Sequence, residues 1–101
     1  MLFRQMKYFI AVVEAKSFTE ASYALEISQS AVSQQIKVLE EDLGVPLLIR
    51  HNRRFALTPA GEYFYRHGKE LIQELEDFKR ETQRQGEDKE LQLSIGYLNN
   101  Y

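Results

Sequence analysis

The chain has 101 residues, no cysteine and a net charge of −2, which fits one small domain and excludes disulfides and thiolate metal sites. No apolar run is long enough to cross a bilayer, and residues 1–7 lack the order of a secretory signal, so we expect a cytoplasmic protein with no membrane partner. Residues 1–69 carry nine basic and seven acidic side chains, whereas residues 70–101 carry four and eight, which indicates different roles for the two parts.

Two amphipathic helices are predicted at the start of the chain. Apolar residues recur at helical spacing over residues 2–15, which gives a first helix with one buried face. Ser17 followed by Glu20 is the capping-box pattern, and it begins a second, short helix that ends near Leu25. Its inward-facing residues are Phe18, Ala21 and Leu25. The next three residues, 26–28, leave room only for a tight turn.

A third helix is predicted over residues 29–43, with Ser28 as its N-cap and Gly44 as its left-handed stop. Its apolar stripe consists of Val32, Ile36, Leu39 and Leu43. Its other face carries Gln29, Ser30, Ser33, Gln34 and Lys37. An α-helix fits the major groove of DNA, where amides, hydroxyls and amines hydrogen-bond base edges. The second and third helices therefore predict a helix-turn-helix whose polar face reads DNA.

A basic β-hairpin is predicted after the third helix. Residues 47–50 and 55–58 are strand-like, and the positive charges near the tip are Arg50, Arg53 and Arg54. Such a hairpin is a wing, and we expect residues 49–55 to contact the DNA backbone or minor groove. As a backbone contact, Arg50 would strengthen binding to all sequences alike. The alternative is a solubilising loop tip. His51 and His67 have no companion at ligand spacing, so no metal site is expected.

A long fourth helix is predicted over residues 59–86, with Thr58 as its cap and Pro59 at its first position. A heptad seam runs along it through Phe64, Gly68, Leu71, Leu75, Phe78 and Thr82. Because so long a helix extends beyond a small core, the seam predicts a homodimer through Phe64, Leu71, Leu75 and Phe78. Tyr63, Tyr65 and Ile72 would widen the apolar face toward the domain. The alternative is that this face packs only within its own chain.

Several segments of the chain stand at a spacing typical of one family. They are Ser17-Phe18-Thr19, Ser28-Gln29-Ser30-Ala31-Val32-Ser33, Leu43-Gly44-Val45-Pro46-Leu47, Leu57-Thr58 and Ala60-Gly61. Over residues 1–96 the chain resembles the N-terminal domain of LysR-type transcriptional regulators. The resemblance implies a mainly α fold, with a winged helix-turn-helix of three helices and a β-hairpin wing over residues 1–58. It implies a linker and dimerisation helix over 59–86, antiparallel to its partner. Residues 87–101 would be a linker and the first strand, at 91–96, of an effector-binding domain.

The same resemblance assigns roles to individual residues. It implies base and backbone contacts by Gln29, Ser30, Ser33, Gln34 and Lys37, backbone or minor-groove contacts by Arg50 and Arg53, and phosphate contacts by Thr19 and Thr58. The family often has proline where Ser30 stands and a cation where Gln34 stands, which alters the base preference expected here. No cofactor is implied for this part of the regulator. The resemblance implies a small-molecule effector only for the effector-binding domain, and it leaves open whether the full-length regulator is a dimer or a tetramer.

The sequence thus predicts a transcription factor domain that binds an interrupted inverted repeat in promoter DNA as a dimer. An enzyme is not expected, because the chain offers no nucleophile–base pair, metal set or phosphate loop. The remaining alternative is a winged-helix module that binds protein instead of DNA, which the negative net charge favours. The operator, the regulated genes, the effector and the choice between activation and repression stay open.

Overall fold

The order of the elements is that of a winged helix-turn-helix followed by a long helix. The computed structural model describes residues 2–51 and 54–88. Its elements are α1 (Leu2–Ala15), α2 (Phe18–Leu25), α3 (Gln29–Leu43), β1 (Leu48–His51), β2 (Arg54–Leu57) and α4 (Pro59–Asp88). The predicted fold class is confirmed. The predicted strand at residues 91–96 lies outside the described residues.

Helices α2 and α3 begin at their predicted N-caps, and α3 ends at its predicted C-cap. The Ser17 hydroxyl accepts the backbone N–H of Glu20 at 3.1 Å, and the Ser28 hydroxyl accepts that of Ala31 at 3.1 Å. Gly44 ends α3 in the left-handed region at φ 78°. The turn between α2 and α3 also needs a left-handed residue, and Glu26 takes that role at φ 60°, which side chains other than glycine adopt at some cost.

The core lies where α1, α2 and α3 meet the start of the wing. Its buried side chains are Phe9, Val12, Ala21, Val32, Ile36, Leu39, Leu47 and Leu48. Phe18 and Leu25 pack against this cluster, as their helical spacing predicts. Leu43, the last member of the predicted apolar stripe of α3, is exposed, so the buried part of the stripe ends at Leu39.

The wing is an antiparallel pair in which Leu48 faces Leu57 and Arg50 faces Phe55. One carboxylate oxygen of Glu40 on α3 accepts the backbone N–H groups of Leu47 and Leu48, at 2.7 and 3.0 Å. A carboxylate that accepts two backbone N–H groups forms charge-assisted bonds. Glu40 therefore fixes the point at which the chain leaves α3 and enters the wing.

The start of α4 is fastened to the residues that precede β1. The Thr58 hydroxyl donates to the Pro46 carbonyl at 2.8 Å and accepts the N–H of Gly61 at 2.9 Å. The Thr58 N–H donates to the Leu47 carbonyl at 3.1 Å. A Cβ on Gly61 would stand 2.1 Å from that carbonyl oxygen, so only glycine fits this approach.

The first half of α4 packs on α1. The rings of Phe64 and Phe9 meet edge to face at 5.6 Å, and Gly68 is buried beside Met6 and Ile10. Phe64 and Gly68, two positions of the predicted seam, therefore lie against their own domain. A Cβ at Gly68 would lie 3.5 Å from Met6 and 3.6 Å from Ile10, which are ordinary contact distances, so the two helices do not need a glycine here.

An ion pair beside this contact joins the same two helices. The Lys69 ammonium lies 2.9 Å from a Glu14 carboxylate oxygen, to which the Tyr65 hydroxyl also donates at 3.1 Å. The hydrogen bond from Lys69 is the largest cause that holds the pKa of Glu14 below its usual value. The same bond raises the pKa of Lys69.

The second half of α4 extends away from the core. Leu71, Leu75 and Phe78 are 48, 42 and 71 % exposed. Tyr63 is 62 % exposed, so the prediction that it faces the domain is wrong, because its position is turned by about 100° from that of Phe64. The helix also continues past Gly86 to Asp88. None of the helices in the described part of the chain is long and apolar enough to cross a membrane.

Candidate nucleic-acid interface

The predicted DNA-contacting side chains of α3 form one open surface, here called the reading face. It is lined by Ser28, Gln29, Ser30, Ser33, Gln34 and Lys37. The helix exposes these residues because Val32, Ile36 and Leu39 on its opposite side are fully buried. The reading face includes the start of α3, where free backbone N–H groups and the positive end of the helix dipole lie. The first turn contains no acidic residue that would offset this positive potential.

A cleft next to the reading face joins α2, α3 and the wing, and we call it the wing cleft. Its lining residues are Ser17, Phe18, Thr19, Gln29, Arg50, Arg54 and Phe55. The Thr19 hydroxyl donates to the Gln29 side-chain oxygen at 3.2 Å. Gln29 lines both surfaces, so the reading face and the wing cleft are continuous. The fold thus brings Thr19, Arg50 and Arg54 next to the predicted reading residues.

Arg50 is the side chain that connects the wing to α3. One guanidinium nitrogen donates to the Ser33 hydroxyl at 3.3 Å. The guanidinium carbon also lies 4.3 Å from the centre of the Phe18 ring. The Phe18 ring in turn meets Phe55, the cross-strand neighbour of Arg50, edge to face at 5.7 Å.

Thr58, a predicted phosphate contact, lines neither the reading face nor the wing cleft. Thr58 is 9 % exposed, and the one hydrogen of its hydroxyl is donated to Pro46. The Thr58 hydroxyl therefore has no hydrogen left to donate to a phosphate, which argues against the predicted contact. Arg53 lies outside the described residues.

The histidines stand apart from one another. His51 is exposed on β1, and the ring of His67 packs on Tyr63 at 4.2 Å. His67 also lies 3.5 Å from a Glu70 carboxylate oxygen. Within the described ranges, 2–51 and 54–88, there is no group of three or more side chains that could hold a metal ion.

Two residues that position the wing have roles that the sequence did not reveal. Phe18 was expected only in the core, and no role was predicted for Glu40. Each acts on a residue that is far away along the chain, Phe18 on Arg50 and Glu40 on Leu47. No local spacing signals such contacts, because they depend on how the wing packs on the helices.

Known proteins with the same features are transcription regulators. Residues 3–62 match the profile of the family described as "Bacterial regulatory helix-turn-helix protein, lysR family". The probable cat1 operon transcriptional activator of Acinetobacter lwoffii is 41 % identical over 95 residues, which are 94 % of this chain and 31 % of that protein. HcaR, the Hca operon transcriptional activator of Escherichia coli (strain K12), is 39 % identical over 98 residues, 97 % of this chain and 33 % of that protein. The chain thus spans about a third of the length of these relatives.

Solved structures with a similar fold include DNA complexes. The DNA-binding domain of BenM with catB site 1 DNA superposes with a TM-score of 0.79 at 42 % identity, over 83 % of this chain and 93 % of that one. The DNA-binding domain of CbnR in its DNA complex gives a TM-score of 0.76 at 41 % identity, over 85 % of this chain and 98 % of that one. The likeness therefore extends over nearly the whole of each solved DNA-binding domain.

Proposed function

We propose, from the premise that this chain belongs to the lysR family of bacterial regulatory helix-turn-helix proteins, that it binds an interrupted inverted repeat as a homodimer. Membership makes the chain a DNA-binding domain of a transcription regulator and not an enzyme. The proposal concerns how it binds: α3 in the major groove, the wing at the backbone or minor groove, and α4 between two protomers. As a DNA-binding regulator of bacterial type, it would work in the cytoplasm.

The reading face is the observation that carries the proposal. Gln29 can donate to and accept from adenine, Ser33 can serve as either partner, and Lys37 can reach guanine or phosphate. These side chains are solvent-accessible in the first three turns of α3, where a recognition helix contacts base edges. The acidic Glu41 and Asp42 lie only in the last turn, away from the surface that would face DNA.

The wing supplies positive charge beside the reading face. Arg50 and Arg54 line the wing cleft together with Thr19, so cations and a hydroxyl adjoin the side of α3 that would enter the groove. Contacts of this kind orient a protein on the duplex and make its affinity fall with salt. The net charge of the chain does not oppose this, because the excess of acidic residues lies in residues 70–101.

The exposed stripe on α4, formed by Leu71, Leu75 and Phe78, supports the homodimer. Its three large apolar side chains are about half exposed or more in the single chain, and covering the part of each that still faces water is worth roughly 1 kcal/mol apiece. The spacing of four and three residues suits a second helix packed along the stripe. Phe64 contributes less than predicted, because its ring is already packed on Phe9.

The decisive experiment is selection of bound sequences from a random pool of duplex DNA. We expect an enriched inverted repeat with a fixed spacer, and binding that weakens steeply between low and physiological salt. Enrichment of single half-sites without dyad symmetry would contradict the dimer, whereas no enrichment at low salt would contradict sequence recognition itself. Retention on a heparin column separates DNA binding from a pure protein-interaction module, which would not be retained.

The dimer has a test of its own. Sedimentation of a Leu71→Glu/Leu75→Glu variant should yield monomers, because two charges would then be buried against apolar residues of the partner. The matched control, Gln73→Glu/Gln83→Glu, adds the same two charges to exposed positions outside the stripe and should leave the dimer intact. A dimer that persists in the first variant would show that association uses another surface.

A further inference from the structure

We propose that Phe18 is a positioning residue for DNA binding, whose ring holds the Arg50 guanidinium beside Ser33 so that the wing and α3 contact DNA as one unit. The inference rests on the proposed function in one respect, the contact of Arg50 with DNA. It assigns to Phe18 a role beyond the core packing that its helical position indicates.

The geometry fixes Arg50 from two sides. The guanidinium lies over the face of the Phe18 ring at 4.3 Å, within the range of a cation–π interaction. From the other side, the Ser33 hydroxyl accepts one guanidinium N–H at 3.3 Å. The Phe18 ring is itself held by α2 and by the edge-to-face contact with Phe55 at 5.7 Å. The three elements that meet in the wing cleft therefore all define where Arg50 lies.

Such a position matters because a free arginine side chain is flexible. An unsupported Arg50 on an exposed strand would lose much rotamer freedom on binding, and this loss lowers affinity. A planar guanidinium that already rests on a ring loses less. Among residues 2–51 and 54–88, one of its five N–H groups has an acceptor, the Ser33 hydroxyl, so the other donors can reach a phosphate or a base edge.

The bond to Ser33 has a consequence for specificity. The Ser33 oxygen accepts from Arg50, so its own hydrogen is free to donate toward DNA. Arg50 thus influences a residue of the reading face, and its removal should change the preference at the bases next to Ser33. This differs from the expectation that Arg50 strengthens binding to all sequences alike.

The test is a double-mutant cycle in the 101-residue chain, read as the dissociation constant for the selected duplex. Phe18→Leu keeps an apolar side chain but removes the ring, and Phe18→Tyr keeps the ring. With Arg50 present, we expect Phe18→Leu to weaken binding about three- to tenfold and Phe18→Tyr to stay within about twofold. In an Arg50→Ala background, Phe18→Leu should change binding by less than about twofold. Thermal unfolding of each variant sets a temperature at which all are folded.

Two outcomes of the binding measurements would overturn the inference, and they have different meanings. If Phe18→Leu weakens binding by the same factor with and without Arg50, Phe18 acts through packing alone. If Arg50→Ala leaves affinity unchanged, the wing contact of the proposed function fails and the inference fails with it.

NMR of the free chain gives a readout without DNA. The Arg50 side-chain N–H resonance should show a ring-current shift that persists in Phe18→Tyr and is absent in Phe18→Leu. If the unchanged protein shows no such shift, the contact between Arg50 and Phe18 is refuted.

Discussion

Replacing Gly61 by alanine should destabilise the protein strongly. A Cβ at this position would stand 2.1 Å from the Leu47 carbonyl oxygen and 3.0 Å from the carbonyl carbon. Leu47 would have to move by about 1 Å or more to reach ordinary contact, although its side chain is part of the core and its N–H is held by Glu40. The shift would also stretch the bond from the Thr58 N–H to the same carbonyl.

The size of the effect follows from these contacts. Overpacking costs about 1–3 kcal/mol, and each lost hydrogen bond adds about 1 kcal/mol. The better helix propensity of alanine offsets about 1 kcal/mol. We therefore expect Gly61→Ala to lower the free energy of unfolding by about 2–4 kcal/mol.

Gly68 provides a matched control within the same helix. A Cβ there would meet Met6 and Ile10 at 3.5 and 3.6 Å, which is normal contact, so Gly68→Ala should stabilise the protein by about 1 kcal/mol. Urea unfolding followed by circular dichroism measures both variants, at one protein concentration because association would alter the apparent stability. DNA affinity should fall only in Gly61→Ala, since Leu47 leads into the wing. Equal stabilities for the two variants would refute the reasoning.

Three further predictions concern contacts that join the elements. Because Lys69 lowers the pKa of Glu14, the small stabilisation by this pair is fully present above the ordinary pKa of a glutamate side chain and is lost as pH falls through the lowered pKa of Glu14. Urea midpoints of the protein and of Glu14→Gln should therefore converge in acid, and a constant difference would contradict this. Glu40→Ala leaves two backbone N–H groups without their acceptor and should lower the free energy of unfolding in urea by about 2–3 kcal/mol. The control, Glu41→Ala at the exposed neighbouring position, should change it by less than about 0.5 kcal/mol. Thr58→Val should lower the free energy of unfolding by about 1–2 kcal/mol in the same assay, whereas Thr58→Ser, which keeps the hydroxyl, should retain most of that stability. A Thr58→Val chain with full stability but weak DNA binding would instead indicate that Thr58 contacts a phosphate.

The helices and the reading face could be predicted from the sequence because local rules govern them. Ser17, Ser28 and Gly44 fix helix ends through bonds to residues three or four positions away. The burial of Val32, Ile36 and Leu39 follows from helical spacing, and their burial leaves the polar side chains of α3 exposed. Each of these features needs only a few consecutive residues to be specified.

Contacts between distant residues were decided by the tertiary structure. A heptad spacing predicts a stripe on α4 but not what covers it. Packing on α1 takes Phe64 and Gly68 into the domain and leaves Leu71 exposed. The same holds for Thr58, whose cap position was predictable but whose donation to Pro46 was not. The sequence alone thus determined the elements and the polar face of α3. The placement of Arg50 between Phe18 and Ser33 depends on how the wing folds back on the helices, because its partners lie 32 and 17 residues away along the chain.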